Sequence, residues 1–459
     1  GNAQSAPQLP ADNNRKWNKE YQELFDQPAT NPHEIKERQN NMDRLVSDFV
    51  EFSKQVAQVI VFESRMPPSE QQHKRTLKPI DAGGIMGGQK FIYNNTFFKF
   101  ASDDHGLFHD EELAQKSAAN EIRAMSAIID AGVPHLHVTL TAMFYIEGRC
   151  VIATALIPIK SKQVPLYGSA DAANTIHRDG AIVALAQELS NKLRLKAHMV
   201  GERSGERKVV EMELCVDVEG HIGEDGLYYF LDLARVLPPR LPRNQPSAKA
   251  DVWWRQFRPE FMLQYCGGAS NLRLSSDCFT GFGSHNAQEH HEDIGRAEQM
   301  IREQVIPKVC QELLQSGDVI DEKDVPLMKC AENILARMSE VFHKHGANLQ
   351  MMGVVRDHLM KNVNENNRDQ VEKMGEMMLK VMLVRTIKCE FRAWQRTMMN
   401  IKQSAANNEN NNHQMTTSDV LNVLLRSYVL GSNESSDKFW NEYLIPRVQV
   451  SLLLLFIKI

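Results

Sequence analysis

Four charged side chains in the first half of the chain are of the types, and in the order, that phosphoryl transfer uses. Lys99 falls on a predicted strand after a glycine-rich stretch, and Glu121 falls on the helix predicted to follow. Asp217 and Asp232 flank a predicted hairpin further along. A lysine can bind nucleotide phosphates, a glutamate can hold that lysine, and carboxylates can bind magnesium. The pattern therefore raises one alternative, a kinase-like phosphotransferase or a degenerate nucleotide-binding pseudoenzyme.

Other features favour a non-enzymatic binding or scaffold protein. The glycine-rich stretch at residues 83–88 reads GGIMGG, which is not the GxGxxG of protein kinases. No HRD-x4-N or DFG sequence is present, and LDLAR stands at residues 231–235. No nucleophile–base pair is visible, so we predict no catalytic residue, metal or cofactor. Whether the chain is an enzyme stays open, and the pattern leans towards a binding role.

The segment from residue 211 to residue 239 must position the two aspartates. Alternation of apolar and polar residues predicts one strand over 214–218 and a second over 228–233. Asp225-Gly226 suits the turn between them. A charge in an apolar strand is unfavourable unless it is paired, so we expect Asp232 and Arg235 to pair with each other or with neighbouring strands. On this interpretation, replacing Asp232 by alanine destabilises the fold before it affects a ligand.

The order of the predicted elements indicates an α+β protein. An N-terminal helical segment precedes a mixed α/β core, and an all-helical region follows. The predicted segments are 1–15 (disordered), 16–66 (helical), 80–250 (α/β core), 251–400 (helical), 403–416 (low-complexity loop) and 417–459 (helical). A methionine-rich surface in the helical region is typical of core packing, or of a groove that docks a protein partner.

Composition excludes several classes of protein. The chain has 459 residues, a net charge of −5 and 42% hydrophobic residues, as in ordinary soluble globular proteins and unlike uniformly basic nucleic-acid binders. Its seven cysteines are scattered without zinc-site spacing, which fits reduced thiols in the cytoplasm. No apolar run approaches the ~20 residues of a transmembrane helix.

The first five residues, GNAQS, match a myristoylation signal if a methionine precedes them. Gly1 would then carry the acyl chain. One such chain gives only weak membrane contact, so the prediction is a cytoplasmic protein that associates reversibly with membranes.

Basic and aromatic residues lie together between residues 235 and 258. Basic side chains can neutralise the phosphates of a nucleic acid, and aromatic rings can stack on its bases. The alternative is structural, with the rings packed in the protein beside ion pairs. The RNA-binding candidates are Arg235, Arg240, Arg243, Lys249, Trp253, Trp254, Arg255 and Arg258.

A series of motifs in a particular order resembles the Clu domain of the clustered-mitochondria family. The series runs from NTFF at residue 95 through ALIP at 155, YGS at 167, CVDV at 215 and LDLAR at 231 to RPE at 258 and LSSD at 274. Further matching motifs extend to about residue 400. The resemblance implies a eukaryotic cytosolic protein that binds messenger RNAs for mitochondrial proteins and influences mitochondrial distribution.

Overall fold

Helices and sheets alternate in the first part of the chain, and the second part is helical, which confirms the α+β prediction. A computed structural model describes residues 6–12, 14–66, 73–81, 87–160, 163–201, 208–243, 248–283, 285–315 and 327–405. The chain divides into two compact units, Gly1–Gln299 and Met300–Ile459. The predicted acylation site Gly1, the predicted low-complexity loop 403–416 beyond Ala405, and the predicted segment 417–459 lie outside the described residues.

The N-terminal segment forms two helices, α1 (Trp17–Phe25) and α2 (Pro32–Glu63). Asn31 begins α2, because its side chain accepts a hydrogen bond from the Glu34 N–H and proline occupies the first turn. The apolar faces of both helices are buried in one hydrophobic core with the first sheet. Tyr93 of that sheet also donates a hydrogen bond to the Pro10 carbonyl.

The first sheet is antiparallel, with four strands in the order β1-β2-β5-β4. Helix α3 (Glu111–Ala131) connects β2 to the later strands. It begins at Asp110, whose side chain accepts from the Glu112 N–H, and ends at Gly132, which has a left-handed backbone. The strands are β1 (Lys90–Tyr93), β2 (Thr96–Phe100), β4 (Thr141–Ile146) and β5 (Arg149–Ala155).

A second sheet has the order β3-β11-β10-β6-β7, and β8 pairs with β9 separately. Its strands are β3 (Leu136–His137), β6 (Tyr167–Gly168), β7 (His177–Arg178), β10 (Glu219–Ile222) and β11 (Tyr228–Leu231), with β8 (His198–Gly201) and β9 (Val209–Met212) in the separate pair. The helices of this part are α4 (Ile182–Lys192), α5 (Ala248–Trp254), α6 (Pro259–Tyr265) and α7 (Ala287–Met300).

The strand predicted over residues 214–218 is wrong. These residues form a bend and a turn, although the apolar ones are fully buried. Side chains satisfy their backbone N–H groups in place of a neighbouring strand. The Tyr167 hydroxyl accepts from Leu214, and the Asp277 carboxylate accepts from Val216. The hairpin itself begins only at β10.

The second unit is helical throughout its described residues, as predicted. A π-helical turn (Ile301–Val305) leads into α8 (Ile306–Gln315), and α9 (Leu327–Lys344), α10 (Met352–Lys361) and α11 (Arg368–Ala405) follow. Because α11 extends to Ala405, the first three residues of the predicted low-complexity loop are helical.

Candidate nucleotide-binding site

Lys99 and Glu121 form an ion pair inside the first unit. Lys99 lies on β2 and Glu121 on α3, with Nζ and Oε2 3.8 Å apart. Their side chains are 20% and 17% exposed, so solvent still reaches both. Burial opposes the charge of Lys99, but Glu121 and Asp232 outweigh it and raise the pKa of the ammonium group. The lysine therefore stays protonated, as phosphate binding requires.

Asp232 follows β11 and faces the same group of charges. Its backbone is left-handed, with φ 55°, and the residue is exposed to solvent. Burial by the surrounding protein atoms raises its pKa to about 7, with Glu121, Glu219 and Asp217 adding to the rise and Lys99 opposing it. Solvent thus reaches Asp232 although protein atoms surround much of its carboxyl, and we call Lys99, Glu121, Asp217 and Asp232 together the cleft. The raised pKa of Asp232 reflects first this burial and then the nearby carboxylates, which Lys99 only partly offsets.

The glycine-rich stretch ends against the lysine. A Cβ atom at Gly87 would lie 3.0 Å from Cδ of Lys99 and 3.1 Å from the Phe100 carbonyl oxygen, and φ there is 84°. Only glycine suits such a position. The Gly88 N–H donates to the same Phe100 carbonyl. Residues 82–86 lie outside the described part, so the structure places only the end of the stretch beside the ion pair.

Asp217 is held by Arg235. The guanidinium donates two hydrogen bonds to the carboxylate, at 2.6 and 2.7 Å, and its Nη2 lies 2.9 Å from Oδ1 of Asp277. Of the two alternatives that the sequence left open for Arg235, direct pairing with Asp232 is not what forms: Arg235 pairs with Asp217 and Asp277. The guanidinium also lies over the rings of Trp253 and Phe282. These contacts fix the Asp217 carboxylate in one position.

Asp277, which the candidate residues did not include, is the centre of this network. It is fully buried and accepts hydrogen bonds from the Val216 N–H at 2.9 Å and from Nε2 of His198 at 2.8 Å. Burial opposes its charge, but Arg235 and His198 outweigh burial and lower the pKa of Asp277 to about 2. The LSSD motif that ends at Asp277 was the one sequence signal for it.

Four further RNA-binding candidates, all of them arginines, have carboxylate partners. Arg240 and Glu298 form a buried bidentate pair, and Arg243 and Arg255 both contact the buried Asp251. Arg258 pairs with Glu260. The ring of Trp254 lies beside Arg243 and Lys116. Lys249 belongs to α5, but its side chain is outside the described part of the structure. In the structure these arginines therefore form ion pairs with carboxylates and do not form a common open basic surface.

Metal binding by protein groups alone finds no support in the described residues. No group of three or more His, Cys, Asp or Glu side chains there could hold a metal ion. Magnesium, however, is often bound by one or two carboxylates together with substrate phosphates and water. Within the same residues, no helix is long and apolar enough to cross a membrane.

Comparison with known proteins extends these observations. The family described as Clustered mitochondria (CLU) matches residues 16–241. Relatives named "Clustered mitochondria protein homolog" include those of Phaeosphaeria nodorum and Coccidioides immitis, 26% and 28% identical over 233 residues, and that of Aspergillus niger, 27% identical over 251 residues. The matches cover 49–53% of this chain but only 17–18% of those relatives. No solved structure matches.

The first unit is an α+β domain in which a helical segment precedes two sheets, and the charged cleft lies within it. Residues 16–241, which include α1, α2, both sheets and all four residues of the cleft, match the Clu family model, and the relatives with similar sequences carry the clustered-mitochondria name. The resemblance to the Clu family is thereby confirmed for the motifs up to LDLAR at residue 231, and the motifs from RPE at residue 258 onward lie outside the residues that the family model matches.

Proposed function

We propose that the cleft of Lys99, Glu121, Asp217 and Asp232 binds a nucleoside triphosphate together with a divalent cation. The observation that carries the proposal is the Lys99–Glu121 ion pair beside the accessible Asp232. These residues come from β2, α3 and the end of β11, and their combination is the one that nucleotide phosphates and magnesium require. No general base is assigned, so the role is binding without catalysis.

Charge balance supports a ligand over a purely structural ion pair. Asp217 already has Arg235 as its partner, whereas Asp232 has Glu121 and Glu219 nearby and Lys99 as the main opposing charge. A divalent cation would neutralise Asp232, and the phosphates that accompany it would take Lys99 as a partner. Burial first and then the neighbouring carboxylates raise the pKa of Asp232, so added positive charge at this position would stabilise its ionised form.

Binding of messenger RNA is the role that the family resemblance implies. The ion pairs of Arg235, Arg240 and Arg243 count against these side chains as phosphate ligands, because a new contact would have to break a buried pair. A cytoplasmic location, a protein partner for the helical region and weak membrane contact through Gly1 remain proposals of the same kind. The membrane contact is tested by comparing the cellular location of the parent protein with that of the Gly1→Ala variant.

Thermal unfolding of the full chain with ATP and magnesium tests the nucleotide proposal. Ligand at about 100 times its dissociation constant stabilises by about 2.7 kcal/mol, which is a clear rise in Tm. Lys99→Met should abolish the rise. Lys116→Met, which removes a lysine that lies over Trp254, is the matched control and should preserve it. No rise for the parent at millimolar ATP with magnesium would refute the proposal.

A further inference from the structure

A cavity of about 750 Å³ lies away from the proposed nucleotide site, at the C-terminal ends of α3 and α4 and beside α6. Its volume is within the range of small-molecule sites in proteins. Four cations and three carboxylates contribute to its lining, together with several apolar side chains. The family match assigns no ligand to it, and Arg258 is the one lining residue that the sequence named as an RNA-binding candidate.

Two of the four cations already have carboxylate partners. Lys192 lies 3.4 Å from Glu188, and Arg258 lies 2.7 Å from Glu260. Arg123 and Arg194 differ: in the part of the chain that the structure describes, neither guanidinium is within ion-pair distance of a carboxylate. Glu260 of the cavity wall acts on Arg123 through its charge at longer range, and neither guanidinium makes a direct ion pair with a carboxylate of the wall.

Arg123 and Arg194 each show a second sign of an unmet interaction. Burial, followed by the charge of Arg258, lowers the pKa of Arg123 to about 10. Arg123 donates to Oδ1 of Asn120, a neutral acceptor. Nε of Arg194 is buried without a hydrogen-bond partner, and its backbone is left-handed, with φ 61°. The left-handed backbone belongs to the end of α4, where the Arg194 N–H donates to the Asn191 carbonyl, so the unpaired Nε is the sign of an unmet interaction.

The rest of the wall indicates what accompanies the anion. Ala127, Leu193, Pro259 and Leu263 also line the cavity, and Leu263 is 52% exposed. Guanidinium groups bind phosphate through paired N–H donors, so two of them beside an apolar wall suit an amphipathic anion. We propose that this cavity binds a small organic phosphate, a phosphate monoester with a compact apolar group.

The cavity is separate from the nucleotide site, although both use α3. Glu121 and Arg123 are two residues apart, and side chains at that spacing on a helix do not face each other. The Lys99→Met variant removes phosphate binding at the first site and leaves the cavity intact. Failure of one proposal is therefore distinguishable from failure of the other.

Calorimetric titration of the full-length Lys99→Met chain with phenyl phosphate tests the proposal. Binding is expected, and Arg123→Gln or Arg194→Asn should each weaken it at least about tenfold, the value of one charge-assisted hydrogen bond. Asparagine is chosen at residue 194 because it tolerates the left-handed backbone. Arg38→Gln, which removes an exposed arginine on α2 that donates to the Gln27 carbonyl and contacts no residue of the cavity lining, is the matched control and should leave the affinity unchanged.

Three results would overturn the assignment. The first is the absence of any heat with phenyl phosphate. The second is equal affinity in the parent, Arg123→Gln and Arg194→Asn, which would place the ligand elsewhere. The third is equal affinity for benzoate, which would remove the preference for phosphate. Weaker binding of inorganic phosphate than of phenyl phosphate would support the role of the apolar wall.

Discussion

The substitution Asp232→Asn separates ligand binding from folding more sharply than any other change in the cleft. Its folded-state pKa of about 7 lies above the ordinary value of 3.8. A raised carboxyl pKa means that the folded state holds the proton more tightly. The contribution of Asp232 to stability is therefore most favourable below about pH 4 and declines as pH rises through about 7. Above that pH the charged group disfavours folding, and asparagine removes the charge while it tolerates φ 55°.

The magnitude follows from the exposure of the group. A shift of about three pKa units in a fully buried carboxyl would correspond to about 4 kcal/mol. Solvent reaches Asp232, and screening reduces the effect, so we expect Asp232→Asn to raise the free energy of unfolding by at most about 1 kcal/mol at about pH 8. Affinity for ATP with magnesium should fall at least tenfold, because a charged ligand to the cation is worth about 1.5–3 kcal/mol.

Urea unfolding and calorimetry measure the two effects on the same variants. Asp225→Ala is the matched control on the same hairpin. Its carboxylate accepts hydrogen bonds from the Tyr229 hydroxyl at 2.7 Å and from the Leu227 N–H at 3.1 Å. That variant should lose about 1–2 kcal/mol of stability and keep its affinity for ATP. If Asp232→Asn instead lost stability and bound ATP like the parent, the carboxyl would be structural and our reasoning would be wrong.

Three further predictions concern the surrounding charges. Affinity for ATP with magnesium should rise with pH between about 6 and 8 as Asp232 loses its proton, and Asp232→Asn should flatten the calorimetric profile; a flat profile in the parent would exclude Asp232 as a ligand. Asp277→Ala should lower the free energy of unfolding by about 3–5 kcal/mol in urea, because it leaves His198 and the Val216 N–H without their buried partner, whereas a loss below about 1 kcal/mol would show that the network is dispensable. Arg243→Gln should destabilise the fold through Asp251 and leave the salt dependence of RNA retention on filters unchanged; a reduced salt slope would restore Arg243 as an RNA ligand.

Local periodicity was sufficient for the elements that carry the ion pair. The strand that contains Lys99 and the helix that contains Glu121 form as predicted, and the cap at Asp110 and the glycine after Ala131 determine the bounds of α3. Lys99 and Glu121 could therefore be assigned to a neighbouring strand and helix from the sequence. Their separation of 3.8 Å depends on the packing of α3, which no local pattern contains.

The segment before the hairpin could not be predicted in this way. The alternation of apolar and polar residues over 214–218 is compatible with a half-buried strand and also with a buried turn, so the pattern does not distinguish them. The groups that decide between them are the Tyr167 hydroxyl and the Asp277 carboxylate, which are 47 and 61 residues away in sequence from their partners. The same limit applies to Arg240, because its partner Glu298 is 58 residues away and nothing local distinguishes a buried pair from an open basic surface.

The double substitution Lys99→Glu with Glu121→Lys tests the central claim most directly. It exchanges the two charges across the ion pair, so the pair and the net charge of the cleft are preserved, while the ammonium moves from β2 to α3. We predict that the variant unfolds within about 1 kcal/mol of the parent, because partly exposed pairs contribute little. We also predict that it shows no rise in Tm with ATP and magnesium. A variant that binds ATP with magnesium as tightly as the parent would contradict the assignment of Lys99 to the nucleotide phosphates.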